Sequence, residues 1–529
     1  MKIRYLLFIV FVSSAFLYSC EDLDENPKAM LTPGTYFKTP EELEGVIAAM
    51  YRRLAPDDAW GFTCGFTSYF GGDDLATHPA SNKQDFRNFD RLEGDAANRE
   101  MVNQWQGPWR AIYQANAVLT SVNNVQFRDN VDKERAIGQA SFIRAIAYYY
   151  LTRTFGDIPI VTESVDVDDR LPRQPMKDVY TQVIEDLTIA ENALPDSWPN
   201  QPGKATKYAA KALLADVYMN MAGYPLNETD KYALAAAKAK EVIDANKYTL
   251  VSNYGDVFKT NNNSESIFAL QYNTTGGLPR RSTGQFVVPE EETSLAGEAG
   301  WHDYCSEVNF FRNAPKCERT DETFLTIVKK RVGTTQNFDI LAWDDLGTST
   351  QHPYFKKFRY GVAAAGTTIG DGLQENATQI IKMNASTDKT LDLIRYSGVL
   401  LNYAECSTMA GSGPSADAYN AINRVRNRAG LPDLTAGLGK EAFRDSVVFE
   451  RAYEFAGEFG VRWFDIVRLQ LLPQVIAARA VGTHGVDKYW ENQLNANYTS
   501  GENLRTRYLA PIPQSEMDRN KEWIQNPGY

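Results

Sequence analysis

His78, His302, His352 and His484 are the only histidines among 529 residues, and no two stand at the spacing of paired metal ligands. No C-x2-C pair occurs either, so a zinc site is not expected. The usual catalytic signatures are missing too: there is no G-x-S-x-G elbow, no phosphate loop ending in Lys, no G-x-G-x-x-G and no H-E-x-x-H. Asp73-Asp74 is a carboxylate pair, and two acids held at a fixed separation are all a glycosidase needs. With 67 acids in the chain, however, no one pair can be singled out. The acidic run VDVDDR (165–170) lacks the Gly and the distant Glu of a calcium-binding helix-loop-helix, and reads as a solvated loop. No cofactor and no metal are expected, and the residues single out no reaction.

Composition narrows what is bound. A net charge of −12 argues against nucleic acid, because little would neutralise phosphates and release their counterions. Aromatics make up 12%, with 28 Tyr and 9 Trp, more than a core needs and suited to surfaces with an apolar face and a polar edge.

The elements that must position such residues are mostly helices. KTPEELEGVIAAMYRRL opens the first, with Thr39 and Glu42 as a capping box and Pro40 at its first position. A helix carrying Trp105, Trp109 and Tyr113 follows; Gly107-Pro108 is expected to kink or restart it, and Trp105 and Trp109 are expected in the core. Three stretches (138–156, 207–224 and 393–411) then share one layout of small and large apolar residues, an aromatic near the last turn and a closing Gly. Each is followed by a second helix, at 179–195, 231–248 and 417–430. Recurring helix pairs of this length are similar to tetratricopeptide units, which bury a continuous core only by stacking. The expected fold is mainly α: a right-handed helix-pair, tetratricopeptide-like scaffold of about four pairs, the last at 440–480. A loop-rich, irregular insertion with short strands, SIFALQYN (266–273) among them, interrupts it.

Met1 to Arg4 and the apolar run Leu6 to Leu17 form a secretory leader, too short to span a bilayer. Leu17-Tyr18-Ser19-Cys20 resembles the bacterial lipobox, whose cysteine is acylated and becomes the first mature residue. Cys20 is therefore the expected lipid anchor, and several acyl chains would hold it stably on a membrane. Glu21, Asp22, Asp24 and Glu25 resemble the export signal that sends lipoproteins of Bacteroidetes to the outer face of the outer membrane. Of the remaining cysteines, Cys305 and Cys317 are close enough in sequence to bridge, with separate thiols as the alternative.

NRVRNRAGLPDL (423–434), ERAYEFAGEFGVRWFDIVRL (450–469) and the closing YLAPIPQSEMDRNKEWIQNPGY (508–529) resemble, in that order, the SusD/RagB family of outer-membrane nutrient-binding lipoproteins. Earlier pieces such as WRAIYQANAVL (109–119) agree, so the resemblance covers essentially the whole chain after the leader. Glu458, Arg462, Asp465 and Arg468 read as one helical stripe of alternating charge, locking the last helices to the core. The resemblance implies a leader at 1–19, a lipidated tether at 20–37 and a single domain at 38–529. Within it the scaffold would take 38–264 and 391–529, and a variable loop-rich insertion 265–390.

It also implies a non-catalytic oligosaccharide-capturing protein at the cell exterior, partnered by a SusC-like TonB-dependent transporter. A peptide-binding member of the family, or a surface glycoside hydrolase, are the alternatives. Family ligands sit on loops after the first helix and on the variable region, here 60–90 and 273–360. Trp60, Tyr69, Trp301, Tyr304 and Trp343 are the expected stacking platforms, and Asp73, Asp74, Asn82 and Arg87 the expected hydroxyl partners.

Overall fold

Caps set where the helices begin. Thr39 accepts from the Glu42 N–H at 3.3 Å, and the Glu42 carboxylate accepts from the Thr39 N–H at 3.1 Å, which starts α1 (Pro40–Arg52). The structure, a computed structural model, describes residues 38–62, 72–78, 81–163, 170–273, 276–277, 280–281, 289–292, 302–333, 337–359, 386–458, 460–479 and 496–529. The leader and tether with Cys20, and also Cys64, Tyr69, Trp301, His484 and most of the 165–170 run, lie outside the described residues.

A short helix, α2 (Gln84–Asp90), precedes α3 (Arg99–Ser121), whose Asn98 cap accepts from the Glu100 N–H at 3.0 Å. Pro108 neither ends nor restarts α3, which is helical on both sides of it. Gly107 is needed for another reason: a Cβ there would run into the Asp58 carbonyl, so the loop after α1 lies directly on α3. Next come α4 (Asn130–Phe155), α5 (Met176–Ala193), α6 (Lys207–Met221) and α7 (Lys231–Asp244). Every residue of α4 from Ser141 to Thr152 is buried, so it is the helix around which the others are laid. After the insertion follow α8 (Tyr396–Ala410), α9 (Ala416–Arg428), α10 (Lys440–Glu454) and α11 (Val461–Arg468). Each helix from α3 to α7 packs on the next, α8 packs on α7, and α9 and α10 pack on α8. The fold is therefore the expected mainly helical, tetratricopeptide-like stack of pairs.

The strands are short. β1 (Leu75–Thr77) pairs antiparallel with β3 (Tyr304–Ser306), in register Thr77 to Tyr304. β2 (Ser266–Leu270) pairs with β6 (Leu391–Arg395), and β4 (Ile327–Arg331) with β5 (Phe338–Ala342). Cys305 and Cys317 are not bridged to one another; Cys305 is buried in β3, against the Ala76 carbonyl.

The expected single charged stripe does not exist. Gly457 (φ +70°) and Gly460 (φ +71°) take the chain through the left-handed region between α10 and α11, so Glu458 stands off both helices. The four charges go to different partners. Glu458 accepts from Lys357 at 2.7 Å and Arg395 at 3.1 Å; Arg462 holds Asp73; Asp465 takes Arg451 and Arg468, both at 2.8 Å; Arg468 also grips Glu405. Glu454 is the hub of the largest cluster, with Arg428 at 2.5 Å, Arg395 at 3.0 Å and Arg319 at 3.1 Å. These pairs are buried and structural, and they tie strand, insertion and last helices together.

The chain's last residues are laid over the stack. Asn526 donates to the Phe155 and Ala510 carbonyls at 2.9 and 2.6 Å, and the Trp523 indole N–H donates to Leu171 at 3.0 Å. Among the described residues no helix is long and apolar enough to cross a membrane.

Candidate functional site

Two cavities lie in series along α3. The first, about 360 Å³, is polar: Asp57 and Asp58 from the loop after α1, Asn82 and Lys83 before α2, and Arg99, Glu100 and Asn103 of α3 face Asp303. Phe62 and Phe86 meet edge to face at 5.9 Å among its lining residues. Lys83 is ion-paired with Asp303, and burial draws its ammonium down to about 8. The second cavity, about 570 Å³, is aromatic: Trp105, Trp109 and Tyr113 of α3 and Trp523 are rimmed by Arg53, Arg110 and Arg519. Trp105 lies 5.7 Å from Trp109 and 6.3 Å from Trp523, and Tyr113 is 61% exposed. Both volumes fall within the usual range for ligand pockets.

One stripe joins them. Arg99, Asn103, Gln106, Arg110 and Tyr113 recur at alternating steps of four and three, which puts them on one face of α3, and none is buried. At 1.5 Å per residue, that stripe is about 21 Å long. Between the cavities Arg110 is ion-paired with Asp58 and its other amino group donates to Gln106 at 3.2 Å. The arrangement suits an extended ligand carrying many hydroxyls: amide and guanidinium groups along its length, and ring faces at one end.

Of the residues expected to bind, Asn82 is exposed and lines the polar cavity. Trp60 does not reach solvent; it is 5% exposed and sits edge-on to Tyr150 at 5.3 Å in the core. Tyr304 is fully buried, because β3 pairs with a strand whose three residues are all buried. Neither can be a stacking platform. Trp343 is half-buried, edge-on to Phe311 at 5.5 Å, and lines neither cavity. Asp73 is taken by Arg462 through two bonds of 2.6 and 2.7 Å. Arg87 is buried and donates to the His78 carbonyl at 3.2 Å, holding the loop rather than a ligand.

Asp74 is fully buried and accepts from the Gly457 N–H at 2.9 Å. Burial, with Asp73 beside it, pushes its carboxyl up to about 6. A raised acid pKa means that the folded chain holds the proton longer than the unfolded one, so stability falls as pH climbs from 3.8 through about 6. Asp74→Asn is expected to match wild type at low pH and to be more stable by about 1–3 kcal/mol at pH 8. Urea titrations at both pH values check this; equal stability at pH 8 would refute it.

The cavity-lining residues that sequence reasoning did not nominate are Trp109, Tyr113 and Trp523; Trp105 is buried as expected, and Trp109 is half-buried against the core. Trp109 and Tyr113, with Trp105, stand four apart, a spacing that already placed them on one helical face; what covered that face was not visible.

A model of the "SusD family" matches residues 200–529, more than half of the chain. The chain belongs to the SusD family. A second family model, described as "Starch-binding associating with outer membrane", matches residues 22–219. SusD-like protein P2 of Formosa agariphila is 28% identical over 555 residues, covering all of both chains. The starch-binding protein SusD of Bacteroides thetaiotaomicron is 25% identical over 436 residues, 75% of this chain and 73% of that one. A SusD homologue from the same organism has this fold: TM-score 0.78 at 23% identity, covering 94% of this chain and 98% of that one.

Proposed function

We propose that this SusD family chain captures oligosaccharides at the cell surface, without cleaving them, and passes them to a TonB-dependent outer-membrane transporter. The stripe from Arg99 to Tyr113, joining a polar cavity to an aromatic one, is the observation that carries the reading. Starch-binding relatives and a family described as associating with the outer membrane support it. So does the lipobox-like segment ending at Cys20, which would supply a membrane anchor, with the acids Glu21, Asp22, Asp24 and Glu25 after it as an outward address. In this reading the variable insertion 265–390 contributes Asp303 to the polar cavity.

Affinity electrophoresis against a panel of polysaccharides, run beside a peptide library, tests the cargo. Retention by a glycan with no release of reducing ends is expected. Retention by peptides alone would favour the peptide-binding alternative, and release of reducing ends would make the protein a hydrolase. Tyr113→Ala is expected to weaken glycan binding by about 1–3 kcal/mol, on the scale of other aromatic stacking platforms, with little change in melting temperature. Unchanged retention by Tyr113→Ala would remove α3 from the site.

A further inference from the structure

The fold undoes what sequence spacing implied about histidine. Two of the chain's four histidines meet at the end of the β1–β3 ladder, beside the polar cavity. His78 follows β1, and its N–H donates to the Asp303 carbonyl at 3.2 Å; His302 is the next residue along. The two rings are 4.4 Å apart, inclined by 60°, and the Glu290 carboxylate lies 3.8 Å from His78 Nε2. One ligand atom from each of His78, Glu290 and His302 can be chosen so that all lie within 4.8 Å of one another. We propose that His78, His302 and Glu290 bind a divalent transition-metal ion of the zinc class.

Three further observations favour a built site over a chance encounter. His302 is held at φ +38°, a left-handed conformation a histidine seldom adopts and one that is found at functional positions. The turn Glu290–Glu292 divides its carboxylates: Glu292 is locked to Arg359 at 2.5 Å and to the Lys329 N–H at 3.0 Å, and Glu291 accepts from the Ser349 N–H. Glu290 is instead turned to His78, with its side chain 54% exposed and accessible from solvent. Lys83, a nearby cation, is neutralised by Asp303.

The donor set selects the metal. Calcium and magnesium take oxygen donors, whereas two imidazoles and one carboxylate suit zinc and its neighbours. Three protein donors leave a fourth position for water or for an oxygen of a bound molecule.

The test uses untagged, chelator-stripped full-length mature protein titrated with zinc alone, read by calorimetry and by the rise in melting temperature. One zinc per chain is expected, with no uptake of calcium at the same concentration. Cobalt in place of zinc should give the visible absorption of a low-coordinate site. Glu290→Gln and His302→Gln should each weaken uptake by about 100-fold or more, beyond the roughly 10- to 100-fold that an outer hydrogen-bond partner costs. Both variants should melt like the wild type without metal and lose the zinc-induced rise, while His484→Gln should retain it. No uptake by the wild type, or full uptake by Glu290→Gln and His302→Gln, overturns the proposal. If His302→Gln is unstable, Glu290→Gln decides alone, since its side chain is half-exposed and outside the core.

Discussion

Glu454→Gln is expected to lose about 3–5 kcal/mol of folding stability, the usual cost of removing one partner from a buried ion cluster. Burial alone would raise this carboxyl, but Arg428, Arg395 and Arg319 outweigh it and hold it at about 2. Without that charge, three guanidiniums face one another with only Glu265, Glu450 and Glu458 to answer them. The sign of the pH dependence follows. A depressed acid pKa adds stability that is complete above its ordinary value of 4.5 and is lost as pH falls toward about 2. Wild type and Glu454→Gln should therefore converge at low pH. Urea unfolding at pH 7 and pH 3 measures both effects. By contrast, the exposed pair Arg505–Glu502 should be worth less than about 1 kcal/mol. A loss for Glu454→Gln as small as that would show the cluster to be dispensable.

Trp60→Ala is the second large effect expected, about 3–5 kcal/mol, because a buried indole is removed and the hole cannot close fully. Its ring packs on Tyr150, itself 2% exposed and hydrogen-bonded to Gln104 at 2.7 Å. The folded fraction should still retain glycan as wild type does. Weakened retention at an unchanged melting temperature would return Trp60 to the ligand surface. The same pair of measurements on Tyr113→Ala should come out the other way round, so the two variants separate core from site.

How much could be read from the chain depends on the range of the interaction. Thr39 with Glu42, the small-and-large apolar helices and the glycines after them are local signals, and the helices they announce are present. The charged stripe failed for a local reason that was legible: Gly457 and Gly460 bracket the break, and glycines at that spacing should have argued against one helix. Trp60 and Tyr304 failed as platforms for a non-local reason. Whether Trp60 or Tyr304 faces solvent depends on strand pairing and on α4, which no periodicity near those residues reports. His78 and His302 make the same point more strongly, since the contact that joins them is a strand ladder between distant parts of the chain. Asn82 is exposed and lines the polar cavity because it sits in a short 3-10 turn just before α2, a surface position its sequence neighbourhood already indicated.

Trp523 has a consequence for how the protein comes into being. Its indole meets Leu171 across 352 residues, and it closes a groove whose other wall is α3. A ribosome delivers Trp105, Trp109 and Tyr113 long before it delivers Trp523. Until then the side of Trp105 that Trp523 meets stays open beside the exposed Tyr113, an aromatic face of the kind that holdase chaperones take hold of. On the function proposed above, competence to bind is thus gained late, as a property of the finished chain, and a product truncated before residue 514 would lack one wall of the aromatic cavity.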